Sequence, residues 1–418
     1  MAALTTSATC GPNRSFVTSL ISSLGVKILE RKILATGGAG YIGSHVAVAL
    51  LEAGYDVVIL DNLENSNLTV IDKIENISQA RVTFVRGDVR DRATLDAIFQ
   101  NHKIDAVVHL AGKKAVGESV SDPLLYYHDN MLGAVTLLQA MKEARVNRLI
   151  FSSSATVYGV PERLPLDETC KTGVTNPYGR TKLMIEEILD DCVAANPDLN
   201  AVSLRYFNPV GAHSSHLIGE NPKGVPSNLL PYVAQTALGD RPFVQVFGAD
   251  YDTTDGSGLR DYIHVVDLAA GHLAAINFVL NCAQTGMRHR RINLGTGIGH
   301  TVLEVIAAFS VACGFPVPYR IVARRPGDTA ASVADVSLAH KLLGWQAQFG
   351  LDQMCADQWA FVSKVWNNRQ CDELRLNRLG INSDLFRVEA APSAYGAGGH
   401  SSLRAPAELD RPELTPTP

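Results

Sequence analysis

The 418-residue sequence predicts an α/β fold: a doubly wound parallel sheet followed by a smaller, mixed α/β lobe. Three observations predict it. Short apolar runs alternate with helical patterns over the first half, and a glycine-rich turn follows the first of these runs at once. Beyond Asn208 the alternation loosens into Pro/Gly-rich connections around Pro209, Gly224, Pro226 and Pro231. Strands that alternate with helices build βαβ units, and such units close into a parallel sheet.

The elements follow in order. A strand is expected over Lys32–Thr36, a helix over Ser44–Glu52, a strand over Asp56–Asp61, and later a strand over Ala106–Leu110 with a helix through Met131–Glu143. Arg148–Ser152 supplies another strand, Pro177 to about Ala195 a helix, and Ala201–Tyr206 the next strand. Asn176 suits the N-cap of that helix, because its side chain can accept from a free first-turn amide, and Pro177 suits the first helical position. The lobe after Asn208 draws on Phe243–Phe247, a helix near Asp267–Leu280 and elements up to Trp366. No internal repeat is present.

This organises the chain as an N-terminal extension (1–30), a nucleotide-binding domain (31–207), a lobe (208–371) and a C-terminal tail (372–418). The extension carries Arg14, Lys27, many Ser and Thr and no acid before Glu30, faintly like an organellar transit peptide. Without a basic amphipathic repeat it reads instead as disordered or partly helical. The tail, rich in Ala, Pro, Gly and Ser and containing Gly396-Ala397-Gly398-Gly399, cannot bury enough apolar surface to offset chain entropy.

Bulk composition excludes several classes. Apolar residues make up 46%, and a net charge of −5 with pI near 6.2 comes from interspersed acids and bases, so neither nucleic acid nor an anionic membrane is an expected partner. No apolar run reaches the ~20 residues that span a bilayer. The 7 cysteines, Cys10, Cys170, Cys192, Cys282, Cys313, Cys355 and Cys371, are scattered and show no C-x-x-C spacing, as expected of reduced thiols in a cytoplasmic protein without a metal site.

The turn Gly37-Gly38-Ala39-Gly40-Tyr41-Ile42-Gly43 joins the first strand to a helix. Gly37 can make the tight turn, Gly40 lets backbone approach a pyrophosphate, and Gly43 allows close helix packing. The helix N-terminus adds amide donors and positive dipole. Asp61 ends the second strand about 20 residues on, where a carboxylate binds ribose hydroxyls and repels a 2′-phosphate, which favours NAD over NADP. Asp88 and Val89, at the end of the next strand, then flank the adenine. These features define a Rossmann-type domain.

Tyr178 and Lys182 stand four residues apart, on one face of a helix, so the ammonium can favour an ionised phenol. Tyrosine has a pKa of about 10, and a base useful at neutral pH needs roughly 3 units less, or ~4 kcal/mol. One lysine rarely suffices. A second cation, such as an oxidised nicotinamide ring, is needed nearby, which ties the pair to the NAD site.

Five motifs, Gly37–Gly43 (GGAGYIG), Ser152–Gly159 (SSSATVYG), Tyr178–Lys182 (YGRTK), Arg205–Ala212 (RYFNPVGA) and Arg260–Leu268 (RDYIHVVDL), together resemble the extended short-chain dehydrogenase/reductases, in particular those that epimerise UDP-hexoses at C4. The resemblance runs from about Arg31 to about Gln370. It implies reversible interconversion of UDP-glucose and UDP-galactose with tightly bound NAD, through a transient 4-keto sugar and with no net redox change. Tyr178 is then the base, Ser154 bridges the sugar's 4-oxygen and Tyr178, and Lys182 anchors the nicotinamide ribose and tunes Tyr178.

The same resemblance extends the cofactor site to Tyr41, Ile42, Asn62, Asn65, Ser66, Leu110, Ala111, Gly112, Lys114 and Asn130, with Phe207 walling the nicotinamide. On the substrate side it implies Lys114, Asn208, Asn228, Leu229, Arg260, Arg325, Asp328 and Ser332. Arginine suits a diphosphate because its planar fork pairs two oxygens at once. His264 is expected to be a hydrogen-bonded core residue. A homodimer built from helices around Tyr126–Ala144 and Pro177–Ala195 is also implied.

Ser332 stands where glucose-restricted relatives carry a bulky tyrosine, so N-acetylated UDP-hexoses are expected to fit as well. Two rival readings share the fold. A nucleotide-sugar 4,6-dehydratase needs a carboxylate pair after the serine motif, and Ser154-Ala155-Thr156-Val157 has none. A non-catalytic NAD-binding regulator would have no use for Ser154, Tyr178 and Lys182 together.

Overall fold

The computed structural model describes residues 31–378 except 223–225, 227, 282–287 and 326–327, with side chains described as far as residue 367. The expected extension over 1–30 and the tail beyond Arg378 lie outside the described residues. Contacts divide the chain into two units, Met1–Cys371 and Asp372–Pro418. Of the second, only a helical backbone is described, the last turns of the helix Leu351–Arg378.

In the first unit seven strands form one parallel sheet: β1 (Lys32–Thr36), β2 (Asp56–Asp61), β3 (Thr83–Arg86), β4 (Ala106–His109), β5 (Arg148–Ser154), β6 (Asn200–Tyr206) and, much later in the chain, β10 (Arg290–Leu294). Their order is β10-β6-β5-β4-β1-β2-β3, every pairing parallel. Period-2 alternation sends neighbouring side chains to opposite faces. Ile33, Ala35, Val57 and Ile59 pack with the helices Tyr41–Glu52 and Val265–Asn281. Leu34, Val58, Leu60 and Phe151 pack with Arg92–Asn101, Gly133–Glu143 and Pro177–Ala195. Both faces are covered, so the strands read as unbroken apolar runs.

The helix Pro177–Ala195 begins as its residues dictate. Asn176 accepts from the Gly179 amide at 2.8 Å, and Pro177 occupies the first turn. The pattern read as one helix through Met131–Glu143 starts instead as a π-helical stretch, Tyr127–Leu132, before the α-helix Gly133–Glu143. π-bulges of this kind are common at functional sites.

The remaining strands build the lobe. Here β7 (Asn208–Val210), β9 (Leu259–His264), β11 (Gly299–Thr301) and β13 (Ala331–Ser332) form a mixed four-stranded sheet, and β8 (Val244–Phe247) pairs with β12 (Tyr319–Val322). A third core, including Leu230, Val246, Tyr262 and Phe309, lies under them. The strand β10 leaves this half of the chain to pair with β6, with Ile292 opposite Leu204.

Candidate active site

Strand order reverses direction at β1, with β2 on one side and β4 on the other, and in such sheets ligands gather beyond the carboxyl ends of the strands. The expected glycines fill that crevice's floor. Gly37 has φ +70, and a Cβ there would lie 2.7 Å from the Ala111 backbone nitrogen; one on Gly43 would lie 2.2 Å from the Gly37 carbonyl oxygen. Gly40 caps the helix Tyr41–Glu52 in extended conformation with no side-chain hydrogen bond, so first-turn amides are left for a ligand. A cradle that only glycine permits, at a helix start, fits a pyrophosphate.

Asp61 is buried at the end of β2. Its carboxylate accepts from the Ala39 amide at 3.0 Å, and from the Leu63 amide and Ser66 hydroxyl, each at 2.9 Å. A carboxylate has about four lone-pair positions, so one remains for a ribose hydroxyl. Asn62 donates to Asp88 at 2.9 Å, while Asn65 is exposed. Arg90, a residue the sequence reading did not single out, holds the Asp88 carboxyl well below the usual range through its hydrogen bonds. Val89 and Ile42 are half-buried, Val89 against Gly133 and Ile42 against the apolar cluster of its helix.

The loop after β4 carries Leu110, Ala111, Gly112 and Lys114. Gly112 has φ +154 and lies against Asn130, where a Cβ would come 3.0 Å from the amide oxygen. Asn130 is buried in the π-helical stretch. It accepts from the Lys113 amide at 2.8 Å and donates to the Lys113 carbonyl at 3.1 Å and the Thr181 hydroxyl at 3.0 Å. It therefore sets the cofactor loop against the helix that carries Tyr178 and Lys182.

The proposed catalytic residues converge at the carboxyl end of β5. Ser154 is its last residue, and its Oγ accepts from the Thr156 amide at 3.2 Å and the Thr156 hydroxyl at 3.0 Å. Its own proton is thereby left for Tyr178, whose pKa the Ser154 hydroxyl draws down. The Lys182 ammonium donates to the Ser152 carbonyl at 2.7 Å and lies 5.8 Å from the centre of the Tyr178 ring. Tyr126 packs edge-on against Tyr178 with ring centres 6.5 Å apart.

Burial governs both titrations. It pushes the Tyr178 phenol above its ordinary value, with the Ser154 hydrogen bond working the other way, and it lowers Lys182 to about 8. The protein by itself therefore keeps the phenol protonated. A single lysine does not generate the base, in keeping with the expected need for a second cation.

Beneath the site, Glu186 lies one turn beyond Lys182 and is fully buried. It accepts from Ser153 at 2.6 Å, from Arg205 at 3.0 and 2.6 Å, and from Arg291 of β10 at 3.0 Å. Burial alone would raise its pKa, but the hydrogen bonds and charge of Arg205 more than offset this and hold it below the ordinary value.

On the lobe side, Phe207 is buried beside Val157, Tyr158 and Ala334, and Asn208 is exposed at the start of β7. Asn228 caps the helix Leu229–Ala237, whose Leu229 packs on the lobe core. Arg260 contacts Asp328 at 3.3 Å, Arg325 lies 3.7 Å from the same carboxylate and stacks over Phe247 at 4.0 Å. Ser332 pairs with Arg260 across β13 and β9. His264 is a core residue as expected, within 3.2 Å of Asp357, and burial lowers its pKa. Asp261, next to Arg260, was not anticipated: it is buried and collects amides from Thr296, Gly297 and Ala334. No group of acids, histidines and cysteines able to hold a metal occurs among the described residues.

Residues 33–295 match the NAD dependent epimerase/dehydratase family. The chain is 52% identical over 341 residues to the UDP-glucose 4-epimerase of Bacillus subtilis, covering 82% of this chain and 99% of that one. Among solved structures, the Stenotrophomonas maltophila UDP-glucose-4-epimerase with bound NAD and formylated UDP-arabinopyranose matches with TM-score 0.78 and 51% identity, over 81% of this chain and 99% of that one. The Bifidobacterium longum UDP-glucose 4-epimerase in complex with NAD+ and UDP matches with TM-score 0.77 and 51% identity, over 80% and 98%. The glycine cradle, the Ser154/Tyr178/Lys182 cluster and this likeness together show that the chain belongs to the NAD-dependent epimerase/dehydratase family, among its UDP-glucose 4-epimerases.

Proposed function

We propose that the chain interconverts UDP-glucose and UDP-galactose, with NAD as its resident cofactor. The observation that carries the reading is the convergence of Ser154, Tyr178 and Lys182 at the end of β5, in the same parallel sheet as the strand β1 that leads into the glycine cradle. NAD, when bound, supplies two-electron redox chemistry at the sugar's C4. Gly37, Gly40 and Gly43 hold its pyrophosphate and Asp61 a ribose. Ser154 orients the 4-hydroxyl toward Tyr178, which accepts its proton and later returns it. Lys182 holds the positive charge that, with the cofactor's, stabilises the phenolate. The sugar passes through a 4-keto form and leaves with either configuration. The Ala155–Tyr158 turn carries no carboxylate with which to expel water, which disfavours dehydration.

The test needs no added reductant. Purified protein is expected to release NAD on denaturation and to convert UDP-galactose to UDP-glucose. Tyr178→Phe should lower the rate by more than tenfold; a smaller effect, below ~1.4 kcal/mol, overturns the base assignment.

Three finer statements belong to the same reading. Ser332 leaves room for an acetamido group, so UDP-GlcNAc and UDP-GalNAc are also substrates. The exposed Leu132 (43%) and Met184 (38%), within Tyr126–Ala144 and Pro177–Ala195, support pairing of two copies as a homodimer. A cytoplasmic location is supported by Cys170, Cys192, Cys313 and Cys355, all free thiols, and no described helix is long and apolar enough to cross a membrane.

A further inference from the structure

Glu220 is a buried carboxylate that none of the five motifs contains. It follows the Ala212–Gly219 bridge and is 6% exposed. One oxygen, Oε1, accepts from the Lys114 ammonium at 2.7 Å and from the Asn228 side-chain amide at 2.7 Å; the other, Oε2, is buried without a partner among the described residues. Behind it lies a cavity of about 50 Å³ that it lines with Pro231, Ala234 and Phe361.

A buried carboxylate is held in an apolar setting only where charge or hydrogen bonds compensate its desolvation. Both donors that compensate here come from the crevice walls. Lys114 belongs to the loop that also forms the cofactor side, and Asn228 caps the lobe helix on the substrate side. They meet on one atom. The charge of Glu220 also reaches Tyr41, whose phenol burial and that charge keep protonated and whose hydroxyl donates to the Gly211 carbonyl at 2.7 Å.

We propose that Glu220 is a positioning residue, clamping Lys114 of the cofactor loop and Asn228 of the lobe onto a single oxygen so that the two walls of the crevice are set as one unit. The inference rests on the epimerase reading for the tasks of Lys114 and Asn228. Glu220 touches no reacting atom. It acts through its two partners, so removing it and removing a partner should cause overlapping losses, whereas an independent structural role would give losses that multiply.

The experiment is a double-mutant cycle on the NAD-loaded protein with Glu220→Ala, Asn228→Ala and the pair, reading kcat and KM for UDP-galactose and, by calorimetry, the affinity for UDP. Hydrogen bonds to a charged group are strong enough that Glu220→Ala should lower kcat/KM and UDP affinity at least tenfold. The double variant should lie within about twofold of the worse single variant. Glu220→Gln, which keeps an acceptor for Asn228 and loses the charge that holds Lys114, should recover part of the UDP affinity; it also stands in if Glu220→Ala fails to fold. Losses below threefold at Glu220, or losses that multiply in the pair, overturn the clamp. A native chain that binds UDP but leaves UDP-galactose unconverted sinks the epimerase reading and leaves the clamp to be judged on the UDP affinities; a native chain that binds no UDP overturns both.

Discussion

Thr156 donates its hydroxyl to Ser154 Oγ at 3.0 Å, and this fixes the direction of the serine's own proton. With the Thr156 amide also donating to that oxygen, Ser154 accepts from two sides and has its own hydrogen left to give to Tyr178, whose pKa it lowers. Thr156→Val keeps the shape and removes one donor. A neutral hydrogen bond is worth about 1 kcal/mol, so kcat should fall roughly fivefold with thermal stability nearly unchanged. Steady-state kinetics on UDP-galactose beside a melting curve would check both halves, and an unaltered kcat would refute the orienting role.

Lys182 should be costly to the fold. Its folded pKa is near 8 against an ordinary 10.5, so the folded chain binds that proton less tightly than the unfolded one. Stability then rises with pH between those values, because there the unfolded state holds more protons. Below about pH 8 the full penalty, on the order of 3 kcal/mol, is present. Lys182→Met in cofactor-stripped protein should therefore unfold no earlier than native at pH 7, the NAD-loaded variant should be inactive, and any gain in stability should shrink toward pH 10. Melting curves across that range would show it.

Gly43→Ala places a methyl 2.2 Å from the Gly37 carbonyl oxygen, a backbone atom without room to yield. The turn must open. Released NAD, measured by absorbance after denaturation, should fall below a tenth of the native content; full occupancy would show that the cradle is not the pyrophosphate site.

Glu186→Gln removes the counter-charge of Arg205, which is 2% exposed. Leaving a buried charge without its partner typically costs about 3–5 kcal/mol. The urea midpoint should drop accordingly, and because Glu186 is held below its ordinary pKa, the native chain's advantage should be lost as pH falls through the acid range.

Ser332→Tyr tests sugar choice. If an acetamido group occupies the space beside Arg260, turnover of UDP-GlcNAc should collapse in the variant while UDP-galactose is still converted. Equal rates on UDP-GlcNAc, or none in either protein, would defeat that idea.

The parts legible in the sequence were those whose signal is local. Asn176 and Pro177 announce a helix start by residue type alone, and the spacing of Gly37, Gly40 and Gly43 announces a cradle. Asp61 was legible in position, though not in its use of three protein donors to brace the turn. Contacts between distant segments left no such trace. The strand β10 was not read, because Arg290 and Arg291 look like surface charges; Arg291 meets Glu186 and Asp190 only in the folded chain, 105 and 101 residues away. Glu220, in a Pro/Gly-rich stretch, looked like an ordinary loop acid. For Tyr178 and Lys182 the spacing was legible and the depth of burial was not: desolvation raises the phenol's pKa and lowers the ammonium's, and it depends on the packing of distant segments.

The late arrival of β10 has a consequence for how the molecule is made. Until Arg290–Leu294 emerges, β6 is the outermost strand of the sheet, and all its residues are ones the finished fold buries. A core strand with unpaired amides is a template for wrong partners. The nascent chain must therefore carry an open, sticky border through the synthesis of more than eighty further residues, from Phe207 to His289. A fragment stopped at Phe207 would keep every cofactor-cradling glycine and still be expected to precipitate.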